Sequence, residues 1–259
     1  MFACTYFVEI LTPKRIESTD FKEKSDLFAE RYYRILDMGL GMSVPDNPMG
    51  QPRLNLLEMI EQSDLPVQSG QTVMNLNTFH TKEDLDSLLK KAAGTGLKYL
   101  LVVRGDGGPN LPKLDPQSIG GTKNIATSID LLRYINSEYA GSFVTGCAYN
   151  QYNPVPFESN RLRDKINAGA TFVITQPVIG RDPNLDAIFG FNIPIVIEAW
   201  MSTNVKLLFK SVRKEEDERA KDYDPIDNLS NLHESYPDSC IYLSMLGFKK
   251  RWSEILPKL

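Results

Sequence analysis

The stretch YLLVVRGDGG, Tyr99 to Gly108, decides the reading of this chain. Five apolar or β-branched residues form the pattern of a buried parallel strand, and Arg104, Gly105 and Asp106 follow at once, before a Gly-Gly that lets the backbone turn. A carboxylate is thereby set at the carboxyl end of a strand, where α/β sheets carry their chemistry. The layout recurs elsewhere. FVEILTPK puts Glu9 at the end of the first strand, and FVITQ puts Gln176 at the end of a later one.

Working outward, strand patterns fall at Thr5–Thr12, Gly41–Val44, Thr72–Phe79, Tyr99–Arg104, Phe143–Tyr149, Phe172–Gln176, Pro194–Trp200 and Ser239–Met245. Helical patterns alternate with them: Asp20–Met38, Arg53–Ser63, Lys82–Ala93, Asn124–Tyr139, Phe157–Ala168, a short one at Asn184–Phe189, Asn204–Tyr223, and a last one at Phe248–Leu256. Thr81 with Asp84 reads as a capping box, and Gly94 and Gly96 as the stop of the third helix. Eight strands, each followed by a helix, predict one α/β domain over residues 1–259, a single (β/α)8 TIM barrel. The charged run RKEEDERAKDYDP, Arg213 to Pro225, reads as a solvated helix end.

Composition narrows the function classes. The 259 residues are 42% hydrophobic, enough for a sizeable core. A formal net charge of -4 offers no electrostatic footprint for nucleic acid. Cys4, Cys147 and Cys240 are far apart, with no spacing that suggests zinc or a disulfide framework, so no metal site and a reducing, cytoplasmic setting are expected. No basic leader precedes the first apolar run, and no segment approaches the roughly 18 apolar residues a membrane span needs, so a soluble protein is expected.

Glu9 sits among apolar neighbours, where burial raises a carboxyl toward general-acid work; the bland alternative is an ion pair with Lys14 or Arg15. Asp106, flanked by glycines and preceded by Arg104, suits a planar ligand approached by backbone N–H groups, or is a plain turn aspartate. Gln176 offers an amide suited to a lactam edge. His80 and His233 have no matching partners and read as surface residues. GLGMSVPDNPMG, Gly39 to Gly50, is glycine-rich without the context of a nucleotide fingerprint.

Four motifs in order carry a resemblance. FVEILTPK resembles the FEFFPP opening of methylenetetrahydrofolate reductases, VMNLNTF their PHLTC strand, VVRGDGG their ALRGD strand, and INAGATFVITQPV their VDAGAxxxITQxFF stretch. The resemblance runs from Tyr6 to about Lys210 and resumes weakly at Cys240–Leu256. It implies a flavoenzyme barrel that interconverts 5,10-methylene- and 5-methyl-tetrahydrofolate by hydride transfer through FAD, with a tetrahydrofolate as substrate and NADH or NADPH as candidate donors; the oxidative direction and a homo-oligomer stay open. By the same resemblance Glu9 matches the acid, Asp106 the carboxylate near flavin and pterin, and Gln176 the folate-contacting glutamine. Arg104, Gly105, Ala126, Tyr149 and Lys165 match flavin-contact positions.

Departures accompany the matches. Asn75 stands where PHLTC has histidine, Ile125 where the family often has tyrosine, Asn153 where it has a second histidine, and Asp164 where it has an arginine. Arg161, one helical turn earlier, offsets Asp164 if it points inward. The PGILP stretch reads IEAWM here, Ile197 to Met201. The alternative functions are a folate one-carbon enzyme that does without FAD and a non-catalytic folate-binding subunit of a methyl-transfer system.

Overall fold

The computed structural model describes residues 2, 4–15 and 20–256. Within them the strands β1 (Tyr6–Glu9), β2 (Gly41–Val44), β3 (Thr72–Leu76), β4 (Tyr99–Val102), β5 (Val144–Tyr149), β6 (Phe172–Pro177), β7 (Ile195–Trp200) and β8 (Cys240–Ser244) are all parallel and close in chain order into a barrel. The predicted (β/α)8 architecture is the observed one. The helices are α1 (Phe21–Asp37), α2 (Leu56–Ser63), α3 (Lys82–Thr95), α4 (Ser128–Glu138), α5 (Val155–Asn167), α6 (Pro183–Phe189), α7 (Val205–Ser211) and α8 (Pro225–Ser235).

Alternation along the strands sorts side chains into two cores. Tyr6, Val8, Met42, Met74, Leu100, Cys147, Ile197 and Leu243 face outward into the helices. Phe7, Val73, Leu101, Phe172, Ile174, Val196 and Tyr242 fill the barrel itself. Gly146 makes that inner core fit: a Cβ there would lie 2.2 Å from the Phe172 ring, so the small residue is what admits the large one. Two positions further along six of the eight strands the interior turns polar, which leaves the floor of the barrel dry and its upper end able to bind.

Helix ends follow local chemistry. Asn55 and Glu58 cap α2 reciprocally, as Thr127 and Asp130 cap α4. Thr81 accepts the backbone N–H of Asp84 and so caps α3 from one side. Gly96, with φ +80°, ends α3, whereas Gly94 lies within it.

The last third differs from the sequence expectation. The pattern Asn204–Tyr223 is broken after Ser211, where Arg213 takes φ +57°, and the charged run carries only a short 3-10 turn at Glu218–Ala220. The helix that returns the chain to β8 is α8, capped by Asp224 with Pro225 in its first turn. Phe248–Leu256 holds only a 3-10 turn at Trp252–Glu254, because Trp252 docks its indole onto the Gly247 carbonyl and Arg34 instead of extending a helix. No helix among the described residues is long and apolar enough to cross a membrane.

Candidate active site at the carboxyl end of the barrel

The polar layer inside the barrel is built from the residues two places beyond the inner core: Glu9 after Phe7, Ser43 after Gly41, Asn75 after Val73, Gln176 after Ile174, Glu198 after Val196 and Ser244 after Tyr242. Ser43 Oγ donates to Asn75 Oδ1 at 2.9 Å. The Gln176 backbone is held on both sides by the buried Gln151 amide, while its own side-chain amide makes no hydrogen bond among the described residues. It is free for a ligand.

Glu9 is the best-defined group. Its Oε2 accepts the Tyr242 hydroxyl at 2.7 Å. Burial pushes its carboxyl above the ordinary range, and the Tyr242 hydrogen bond and the Arg53 guanidinium pull it back. It does not pair with Lys14 or Arg15: Arg15 is bonded to Glu58, and Lys14 bridges through the backbone to Arg53. Burial and the charge of Glu9 push Tyr242 well above its ordinary value, so the phenol stays a donor.

Glu198, which the sequence reading did not single out, is the second acid of this layer. Burial raises it to about 8, Ser244 pulling it back and the charge of Glu9 raising it further. The signal was present: a lone carboxylate inside the apolar run PIVIEAW obeys the same logic that selected Glu9.

Above this layer lies the rim. Asp106 Oδ2 accepts the backbone N–H of Met49 at 2.8 Å, so the aspartate fastens the loop after β4 to the loop after β2. There the two backbones touch: a Cβ on Gly50 would fall 1.8 Å from the Gly107 carbonyl oxygen. Gly105 packs on Asn77 and Gly107 on Phe79, both with positive φ. Arg104 is exposed; its carbonyl accepts from Thr78, and its guanidinium has no hydrogen-bond or ion-pair partner among the described residues.

His80 is not a surface residue. Its Nε2 lies 2.6 Å from Asp46 Oδ2, with side-chain exposures of 12% and 7%, and Asp46 also accepts the Asn77 backbone N–H. Burial lowers His80, but the Asp46 hydrogen bond and charge outweigh it, and the net shift is upward. His233 is likewise buried, its Nε2 2.6 Å from the Tyr6 hydroxyl.

The other sequence-selected positions gather on the β5–α5 side. Tyr149 is fully buried among the outer core residues, its hydroxyl donating to the Asn184 carbonyl. Lys165 is 5% exposed; its ammonium donates to the Ala148 carbonyl at 2.6 Å and lies 3.4 Å from Glu158. Asn153 also donates to Glu158. Ala126 is buried just ahead of the α4 cap. Arg161 stacks over Phe157 at 5.5 Å and forms no ion pair among the described residues, and Asp164 and Ile125 are exposed. No group of three or more metal-ligating side chains occurs among the described residues.

The fold and the acid-lined mouth define a parallel (β/α)8 barrel of enzyme type, its polar groups converging at the carboxyl ends of the strands. Solved structures give the same architecture: oxaloacetate acetylhydrolase superposes with a TM-score of 0.51 at 9% identity, over 93% of this chain and 75% of that one, a likeness of fold alone. Residues 8–186 match the family model described as methylenetetrahydrofolate reductase, and the chain belongs to that family. It is 31% identical over 157 residues to methylenetetrahydrofolate reductase 1 of Schizosaccharomyces pombe, covering 54% of this chain and 25% of that protein. It is 25% identical over 178 residues to the probable methylenetetrahydrofolate reductase (NADPH) of Caenorhabditis elegans, covering 66% and 26%. The matched segments thus span about a quarter of each relative. Glu198 and Tyr242 lie beyond the segment that matches the family model.

Proposed function

We propose that this barrel is a methylenetetrahydrofolate reductase-like oxidoreductase interconverting 5,10-methylene- and 5-methyl-tetrahydrofolate. The observation that carries the reading is the desolvated Glu9 carboxyl, bonded to Tyr242 inside the barrel of a chain that belongs to this family. Opening the five-membered imidazolidine ring of the methylene form needs a proton delivered to a folate nitrogen, and a carboxyl with a raised proton affinity is suited to give it. The unpaired amide of Gln176 suits the lactam edge of the pterin. Asp106 at the rim would oppose the positive charge of the iminium formed on ring opening.

FAD is the cofactor proposed, as carrier of the hydride. The donor set fits it at the ring end, where Asn75, Arg104, Gly105 and Asp106 stand at the ends of β3 and β4. Its diphosphate would fall to Arg104 and Arg161, neither of which has an anionic partner among the described residues. Lys165 is already committed to Ala148 and Glu158. That commitment, with the negative Asp164 beside it, favours as second reading a folate enzyme that works without flavin. NADH or NADPH as donor, a cytoplasmic setting and a homo-oligomer belong to the same proposal.

The visible absorbance spectrum of the purified protein, followed by anaerobic addition of 5-methyl-tetrahydrofolate, tests it. Flavin bands that bleach on addition are expected. A colourless protein that still turns over folate supports the second reading, and one that neither binds nor converts folate overturns both.

A further inference from the structure

We propose that Glu198 is a second acid of the barrel mouth and works with Glu9 as a charge-coupled carboxyl pair, with Tyr242 on the strand between them bonded to Glu9. The inference deepens the functional reading above and rests on its assignment of Glu9 as the acid of the site.

The geometry is that of three consecutive strands. Glu198 of β7 lies in register with Tyr242 of β8, and Tyr242 lies in register with Phe7 of β1, two residues before Glu9. Alternation points all of these side chains into the barrel. The Tyr242 hydroxyl donates to Glu9, and the Glu198 backbone is pinned by its N–H to Thr175 Oγ1 at 2.9 Å. Both side chains are half-buried at the mouth of the barrel.

The surroundings are unequal. Glu9 has a hydrogen-bond donor and the Arg53 charge to support its ionised form. Glu198 has Ser244 alone, and it faces Glu9. Other titratable groups do not cancel the difference: Tyr242 is held neutral, Tyr152 is pushed up by burial and so stays neutral, and β6 contributes only the uncharged Thr175 and Gln176. On the outer side of β7, His233 of α8 is turned to Tyr6. Glu9 is therefore the member that gives up its proton first, and the charge it then carries holds the proton on Glu198; two such groups lose their protons as a pair. A lone acid is spent once it has given its proton. Here a neighbour keeps one in reserve, at the place where the PGILP pattern has a glycine and no side chain.

Carbon-13 NMR titration of the glutamate carboxyls, in the wild type and in Glu9→Gln and Glu198→Gln, tests the pair without needing turnover. Glu9→Gln is expected to lower the titration midpoint of Glu198 by about one pH unit, because Glu198 titrates against the charge of Glu9, whereas Glu198→Gln leaves the first-titrating Glu9 nearly where it was. If Glu9→Gln does not fold, the wild-type titration reads the coupling by itself, as a Glu198 midpoint well above the ordinary carboxylate range. A Glu198 that titrates in Glu9→Gln where it does in the wild type, or that titrates in the wild type within the ordinary carboxylate range, overturns the proposal. Folate turnover measured on the same samples separates the two ideas: coupled carboxyls in a protein inert toward folate leave the pair standing and remove the folate reading, and normal turnover with uncoupled carboxyls does the reverse.

Discussion

The carboxylate of Asp106 accepts the backbone N–H of Met49 across 2.8 Å, and this single contact fastens the loop after β4 to the loop after β2. The same side chain that would face a ligand therefore also holds the rim together. Asp106→Asn keeps the shape and an oxygen acceptor but removes the charge. We expect kcat for folate turnover to fall with little change in KM, a loss of about 2–4 kcal/mol of transition-state stabilisation once a bound ligand excludes water. Steady-state kinetics alongside a thermal melt separate the roles: a lower Tm with unchanged kcat would leave Asp106 as a loop anchor only.

Glu9→Gln is expected to retain folate binding and lose folate turnover, while reduction of bound flavin by any competent donor survives. Binding titration and single-turnover kinetics read the two halves separately. Near-normal turnover in this variant rules out the acid role.

The stretch Ile197–Met201 differs from the PGILP pattern and carries Glu198 into the mouth, while Trp200 closes the top of β7 against the start of α7. Folate chemistry that survives with weakened nicotinamide use is the expected consequence. Stopped-flow mixing should find rapid flavin bleaching by 5-methyl-tetrahydrofolate and slow bleaching by NADH and NADPH. Fast bleaching by either nicotinamide sinks the idea.

His80 gains its upward shift from Asp46. A histidine whose proton is held more tightly in the folded state adds stability that is fully present below its unfolded value, near 6.5, and is lost as pH rises through the higher folded value. Wild type and His80→Gln should therefore differ most in Tm at mildly acidic pH and converge as the pH rises. A gap that widens with pH contradicts the pairing.

Gly146→Ala places a methyl where the Phe172 ring already lies. Overpacking of this kind costs about 1–3 kcal/mol, and denaturant unfolding should report a loss in that range. An unchanged midpoint means that the inner core yields more easily than its packing implies.

Strand order and the barrel itself were legible because parallel strands buried on both faces leave apolar runs that end abruptly in polar residues. Glu9, Asp106 and Gln176 were visible for the same reason: each stands where such a run stops. What was hidden depended on partners distant in sequence. His80 looks solitary until Asp46 is brought against it, and Lys165 looks free for a phosphate until β5 offers it the Ala148 carbonyl. Glu198 carried the same signal as Glu9, a lone carboxylate inside an apolar run, but stands where the matched motifs give way to a departure. The α8 helix was missed because the charged run ahead of it reads as continuous helix, and the left-handed turn at Arg213 leaves no mark in the pattern of charges.

The backbone contact between Gly50 and Gly107 gives the barrel a one-sided doorway. Where the two glycines meet there is no side chain to swing aside, and Asp106 ties the same two loops together, so the rim above β3 stands as a wall while Asn77 and Phe79 brace it from beneath. A ligand descending toward the two glutamates would find this side of the mouth fixed in place, so any give in the rim has to come from the other loops.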